Sequence, residues 1–142
     1  NQESVYLNAY LYAEKLYLAK MAKVVKSEKD LNIYTKQAED LKFKIQNQFY
    51  DEKTGWFYDT SIDGKTFIDA MGCEGWLPLW ANAATKEQAE AVKNNMINPH
   101  FFNTTVPFQT LLSELHHYQA KSVSVDYKAA APIGELFLGL FQ

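Results

Sequence analysis

Two kinds of helical segment alternate along this chain, and that alternation constrains the fold more than any single motif. From Glu3 to Lys26 the apolar residues point in nearly every helical direction, interrupted only by Asn8, Glu14, Lys15, Lys20, Lys23 and Lys26. A helix apolar on most sides is expected to be buried on most sides. The next segment opens at Ser27, a residue suited to an N-cap, with Asp30 three residues on. It carries one stripe, Leu31, Tyr34, Ala38, Leu41, Ile45 and Phe49, and so is expected to pack on one face and be wet on the other.

The pattern then repeats. "YDEKTGWFYDTSIDGKTFID" holds short β-prone runs at Gly55–Thr60 and Lys65–Ile68 around the turn signal Asp63-Gly64, and reads as a small β-hairpin. "GWLPLWANAA" is again apolar almost all round and reads as a short buried helix, with Pro78 tolerated in its first turn because the missing N–H is unpaired there anyway. Thr85 and Gln88 form a capping box for "KEQAEAVKNNMIN", whose single stripe is Ala89, Val92 and Met96, and Pro99 marks its end. His100 to Ala131 shows no firm period, and "PIGELFLGLFQ" reads as a last buried helix.

Thickly buried helices followed by one-faced ones are what an α/α toroid requires, because inner-ring helices touch neighbours all round while outer-ring helices meet water on one side. The expected fold is therefore all-α, part of an (α/α)6 toroid of antiparallel helix pairs with a small β-hairpin insert. Closing such a ring takes about a dozen helices, each of the ordinary length of about 11–12 residues. Residues 1–142 are thus expected to be a segment of a single helical-toroid domain, incomplete at both ends.

Composition narrows the partners. Hydrophobic residues make up 47% of the 142, enough for a real core. All fourteen cationic residues are lysine and the net charge is -3, so no arginine fork is present to grip phosphate and a nucleic-acid partner is disfavoured. Cys73 is the only cysteine, which excludes an internal disulfide and a thiolate zinc site. His116-His117 with Glu114 lacks a third ligand at a suitable spacing, so no metal and no cofactor are expected. No apolar run approaches the roughly 20 residues that span a bilayer, and no membrane partner is expected.

Glu74 beside Trp76 and Trp80, with Gly72 and Gly75 on either side of the carboxylate, is the set best suited to a sugar. Aromatic faces cover the apolar side of a pyranose, and carboxylates or amides hold its hydroxyls. The competing reading is that these tryptophans are core and that Glu74 stabilises a helix N-terminus. The loop "NPHFFNTTVPFQT" offers the same chemistry through Phe101, Phe102 and Asn103, and Asn103-Thr104-Thr105 matches a glycosylation sequon. Asp59, Asp63 and Asp69 read as turn residues. No nucleophile elbow, phosphate loop or dinucleotide fingerprint is present.

Four stretches, "VYLNAYLYAEKLYLAKMA", "FYDEKTGWFYDTSIDGK", "GCEGWLPLWANAATKEQAEAV" and "NPHFFNTTVPFQT", occur in the order found in the catalytic α/α toroid of glycoside hydrolase family 63. The chain resembles that family over about residues 3 to 110. The resemblance implies part of an inverting glycoside hydrolase acting on α-linked glucosides or related oligosaccharides, with a periplasmic or secreted home as in bacterial relatives. Inverting enzymes use an acid and a base well apart on two carboxyl groups, and the motifs that carry them in the family are absent here. The resemblance therefore assigns no catalytic residue to this chain and makes Glu74, Trp76, Phe102 and Asn103 substrate-binding residues of the pocket wall. The partners it implies are an oligosaccharide and the remainder of the same toroid. The family's Trp-Arg-Gly-Pro-(Ile/Val)-Trp motif is replaced by "AAAPIG", Ala129 to Gly134. The reading from another class is a non-catalytic helical-pair scaffold or protein-interaction domain, although no fixed repeat period supports a solenoid.

Overall fold

In a computed structural model of the chain, the described residues are 2–68, 70–104, 107 and 108. The expected last helix, "AAAPIG", the histidine pair with Glu114 and the turn residue Asp69 lie outside them. Helix α1 (Val5–Val24) and helix α2 (Glu28–Gln48) form an antiparallel pair joined through Val25–Ser27. The join is a Schellman turn: Lys26 donates its N–H to Lys23 O at 3.2 Å and Ser27 donates to Ala22 O at 2.9 Å, with Lys26 at φ 59. Ser27 does hold the N-cap position of α2, but its hydroxyl donates to Asp30 Oδ2 at 2.7 Å and makes no cap bond to the backbone.

The expected stripe of α2 faces α1, with Ala38, Ile45 and Phe49 buried and Leu31, Tyr34 and Leu41 half-buried. Helix α1 is less covered than its composition led us to expect. Val5, Ala9, Tyr12, Ala19 and Ala22 are buried, whereas Tyr6, Leu7, Tyr10, Leu11, Tyr17 and Met21 are exposed, because only α2 and the segments after it cover this helix.

The region between Phe49 and Met71 holds more than the single hairpin expected. Strand β2 (Tyr50–Asp51) pairs antiparallel with β3 (Trp56–Phe57) around Gly55, whose φ of +66 suits glycine. Strand β4 (Thr60–Ser61) turns back at Gly64, φ +70, so that Ser61 N–H reaches Thr66 O at 2.9 Å. On its other edge β4 pairs antiparallel with β1 (Gln2–Glu3), Gln2 opposite Ser61.

The second hairpin is also tied to α1. The N-cap of α1 is Ser4, whose side chain makes no cap bond; instead Asp59 Oδ1 accepts from Val5 N–H at 2.8 Å and Asp59 Oδ2 from Gln2 Nε2 at 2.9 Å. Asp63 behaves as the turn residue expected, accepting from Ser61 Oγ at 2.6 Å, whereas Asp59 is a helix cap supplied from across the fold.

A 3₁₀ turn at Cys73–Trp76 leads into α3 (Leu77–Trp80), with Pro78 in the first turn as expected. This helix is a single turn, and Trp80 is 44% exposed, its ring meeting Tyr10 edge-on at 5.3 Å. Helix α4 (Lys86–Met96) opens with the expected capping box: Thr85 Oγ1 accepts from Gln88 N–H at 3.2 Å and Gln88 Oε1 accepts from Thr85 N–H at 3.1 Å. Val92 and Met96 are its buried stripe. At its other end Asn95 Nδ2 donates to Thr54 O at 2.9 Å and fixes the turn of the first hairpin. The fold is mostly helical, a partial α/α toroid carrying small antiparallel strand pairs.

Candidate functional site

The carboxylate singled out in the sequence, Glu74, lies in the 3₁₀ turn and is half-buried. Two glycines explain its placement. A Cβ on Gly72 would fall 2.6 Å from both Glu74 carboxylate oxygens, so the side chain folds back over the backbone that precedes it. A Cβ on Gly75 would fall 2.0 Å from Trp56 Nε1 and 2.6 Å from Phe57 O, so the turn lies flat against strand β3 only because that position is glycine.

Cys73 Sγ donates to Glu74 Oε2 at 3.7 Å. Burial pushes the Cys73 thiol up to about 11, with the Glu74 charge adding to the effect, and the sulfur stays protonated at neutral pH.

Behind the turn lies an aromatic stack. Trp56, with 0% exposure, stacks on Phe102 at 5.0 Å and 16° and meets Trp76 edge-on at 6.0 Å and 84°. Phe102 meets Trp76 at 5.2 Å and 75°, and Phe108 meets Trp76 at 6.2 Å and 89°. Edge-to-face and offset contacts of this sort are each worth about 0.5–1.5 kcal/mol beyond area burial. The structure thus brings Trp76 and Phe102 together, but packed against each other edge-to-face and against Trp56: Phe102 has 0% exposure and Trp76 5%.

Asn103 is exposed and belongs to the same loop. Its Nδ2 donates to Ile97 O at 3.2 Å and its N–H to Asn98 O at 3.1 Å, which ties the loop to the C-terminal end of α4. Phe108 N–H closes the loop onto Phe102 O at 2.8 Å.

Sequence reasoning missed Trp56, the ring on which both predicted aromatics rest. The available signal was the pair Gly55-Trp56 in a β-prone run, which marks a tight turn followed by a large inward residue. Among the described residues, no group of three His, Cys, Asp or Glu side chains converges as a metal ligand set would.

Residues 1–125 match the family described as mannosylglycerate hydrolase MGH1-like glycoside hydrolase domain. The chain belongs to that family. The family 63 resemblance carried by the four sequence stretches fits this match, whose bounds take in Glu74, Trp76, Phe102 and Asn103. A periplasmic trehalase of Citrobacter koseri is 27% identical over 103 residues, which is 70% of this chain and 18% of that protein. A solved structure titled sialidase superposes with a TM-score of 0.77 at 17% identity, covering 87% of this chain and 11% of the other. At that identity the sialidase likeness concerns the fold alone. This MGH1-like chain therefore spans under a fifth of the length of each of these two relatives.

Proposed function

We propose that this chain is part of an inverting glycoside hydrolase acting on α-linked glucosides or related oligosaccharides, and that it supplies barrel helices and part of the pocket wall. Trehalose, implied by the name of the Citrobacter relative, is one such glucoside. The observation that carries the reading is Glu74: a half-buried carboxylate folded over Gly72 in a rigid turn of an MGH1-like domain. Such a carboxylate can accept from two vicinal sugar hydroxyls.

The other three residues divide by exposure. Asn103 has an open side, whereas the buried rings of Trp76 and Phe102 act as the backing that fixes the 3₁₀ turn and the 101–104 loop. Inversion needs two carboxyl groups roughly 6.5–9.5 Å apart with water between them, and this proposal assigns that pair to parts of the enzyme outside these residues. The 142-residue chain alone then has no hydrolytic activity.

Calorimetric titration of the complete enzyme with trehalose and gluco-oligosaccharides tests the reading, with Glu74→Gln alongside. A hydrogen bond to a charged group is worth about 1.5–3 kcal/mol, so affinity should fall roughly 10- to 100-fold in the variant. Absence of heat with every gluco-sugar would favour the scaffold reading, and release of the aryl group from an aryl α-glucoside by the isolated chain would refute the placement of the acid and base.

A further inference from the structure

The turn that joins α1 to α2 carries both charge and exposed apolar surface. Lys20, Lys23, Lys26 and Lys29 surround it, and no acidic residue occurs between Glu14 and Glu28. Among the described residues none of the four makes an ion pair; Lys20 Nζ instead lies 5.3 Å from the centre of the Tyr17 ring. Met21 lies three and four residues before Val24 and Val25 and so shares a face with them. The three are 62%, 80% and 73% exposed, whereas Ala19 and Ala22 on the other side of the helix are buried. Lys26 holds the left-handed position, φ 59, where glycine would sit without strain. A lysine kept at a position that costs stability points to a use for its charge.

The lysines decide what can cover the apolar face. A packed protein segment would take ammonium groups out of water with no carboxylate in place to answer them, and protein interfaces are depleted in lysine. Glu28 and Asp30 follow in the first turn of α2, which still leaves the tip positive in a chain of net charge -3. An anionic bilayer surface suits both features. Aliphatic side chains enter its headgroup layer, and flexible lysine stems keep their ammonium groups among the lipid phosphates.

We propose that the α1–α2 turn is a peripheral contact for an anionic phospholipid surface, with its three exposed aliphatic side chains in the headgroup layer and its four lysines on the phosphates. No helix among the described residues is long and apolar enough to cross a membrane. The expectation of no membrane partner rested on that criterion, and a contact through the tip of a helix pair requires no crossing. The proposal stands apart from the sugar reading, since it uses none of the residues assigned to the pocket wall.

The test is cosedimentation of the complete natural protein with vesicles of phosphatidylcholine alone or mixed with phosphatidylglycerol. Binding is expected only to the mixed vesicles and should weaken as salt rises. Lys26→Gly should weaken it roughly fivefold. The same substitution is expected to raise the melting temperature, so its loss of binding cannot be ascribed to loss of fold. A nitroxide attached through Val24→Cys should be mobile without vesicles and become immobilised with the mixed ones. Equal binding to neutral vesicles, unchanged binding of Lys26→Gly, or a nitroxide already immobilised in the vesicle-free protein would each overturn the proposal, the last by showing that another part of the protein covers the turn. No binding to the mixed vesicles would overturn it in favour of an acidic protein surface.

Discussion

Gly75→Ala is the substitution whose effect follows most directly from the geometry. The added Cβ would lie 2.0 Å from Trp56 Nε1, 2.5 Å from Trp56 Cε2 and 2.6 Å from Phe57 O, where ordinary van der Waals contact begins at 3.4 Å. The indole has no room to retreat, since it is fully buried and stacked on Phe102 at 5.0 Å, and Phe57 O belongs to a backbone held in the β2–β3 ladder. Overpacking of this kind costs about 1–3 kcal/mol, and with a rigid ring and a backbone atom both in the way the upper end applies. Gly72→Ala is the control. Its Cβ meets only the end of the Glu74 side chain, which can swing outward, so a loss under about 1 kcal/mol is expected. Trp56→Phe removes the Nε1 edge and should relieve part of the Gly75→Ala cost, giving a coupling of about 1 kcal/mol in a double-mutant cycle. Urea unfolding followed by tryptophan fluorescence measures all of these. Equal effects of the two glycine substitutions, or additivity of Trp56→Phe with Gly75→Ala, would refute the account of the turn.

Lys26→Gly should stabilise the chain by about 1 kcal/mol, because a lysine now occupies the left-handed position of the Schellman turn; a melting temperature raised by about 2–4 °C checks it. Glu3 is held below its ordinary value of 4.5: burial opposes this, but hydrogen bonds from Lys44 and Gln48 outweigh it. A depressed carboxylate contributes stability above its unfolded value and loses it as pH falls through the folded one. Glu3→Gln should therefore flatten the stability profile below about pH 4.5 and show little change in slope above pH 6. Cys73 should resist iodoacetamide at pH 8, and Glu74→Gln should raise its rate modestly, since burial is the larger of the two causes; an unchanged rate would separate the thiol from the carboxylate.

What was legible in the sequence was local. The stripe of α2 and the Thr85–Gln88 box repeat within one or two turns, and Gly64 announces its own turn. The two-residue strands β1, β2 and β3 are too short to show a period, and β1 finds its partner β4 nearly sixty residues away. Pattern reasoning also measures how apolar a helix is, not how much of it a given stretch of chain covers, which is why α1 and Trp80 proved more open than expected. At the site, residue types marked Glu74, Trp76 and Phe102, but which ring turns inward depends on Trp56 arriving from a hairpin, and no spacing encodes that.

The capping of α1 by Asp59 gives the two hairpins a say in where that helix begins. A chain folding from its first residues could wind α1 early, yet the first turn would fray until Asp59, more than fifty positions later, came to hold it. Hydrogen exchange at Val5 should then track opening of the hairpin and not of the helix middle. The same contact ties loop length to the start of the helix: an insertion between Phe57 and Thr60 should move the carboxylate off Val5 and leave the first turn of α1 without its cap.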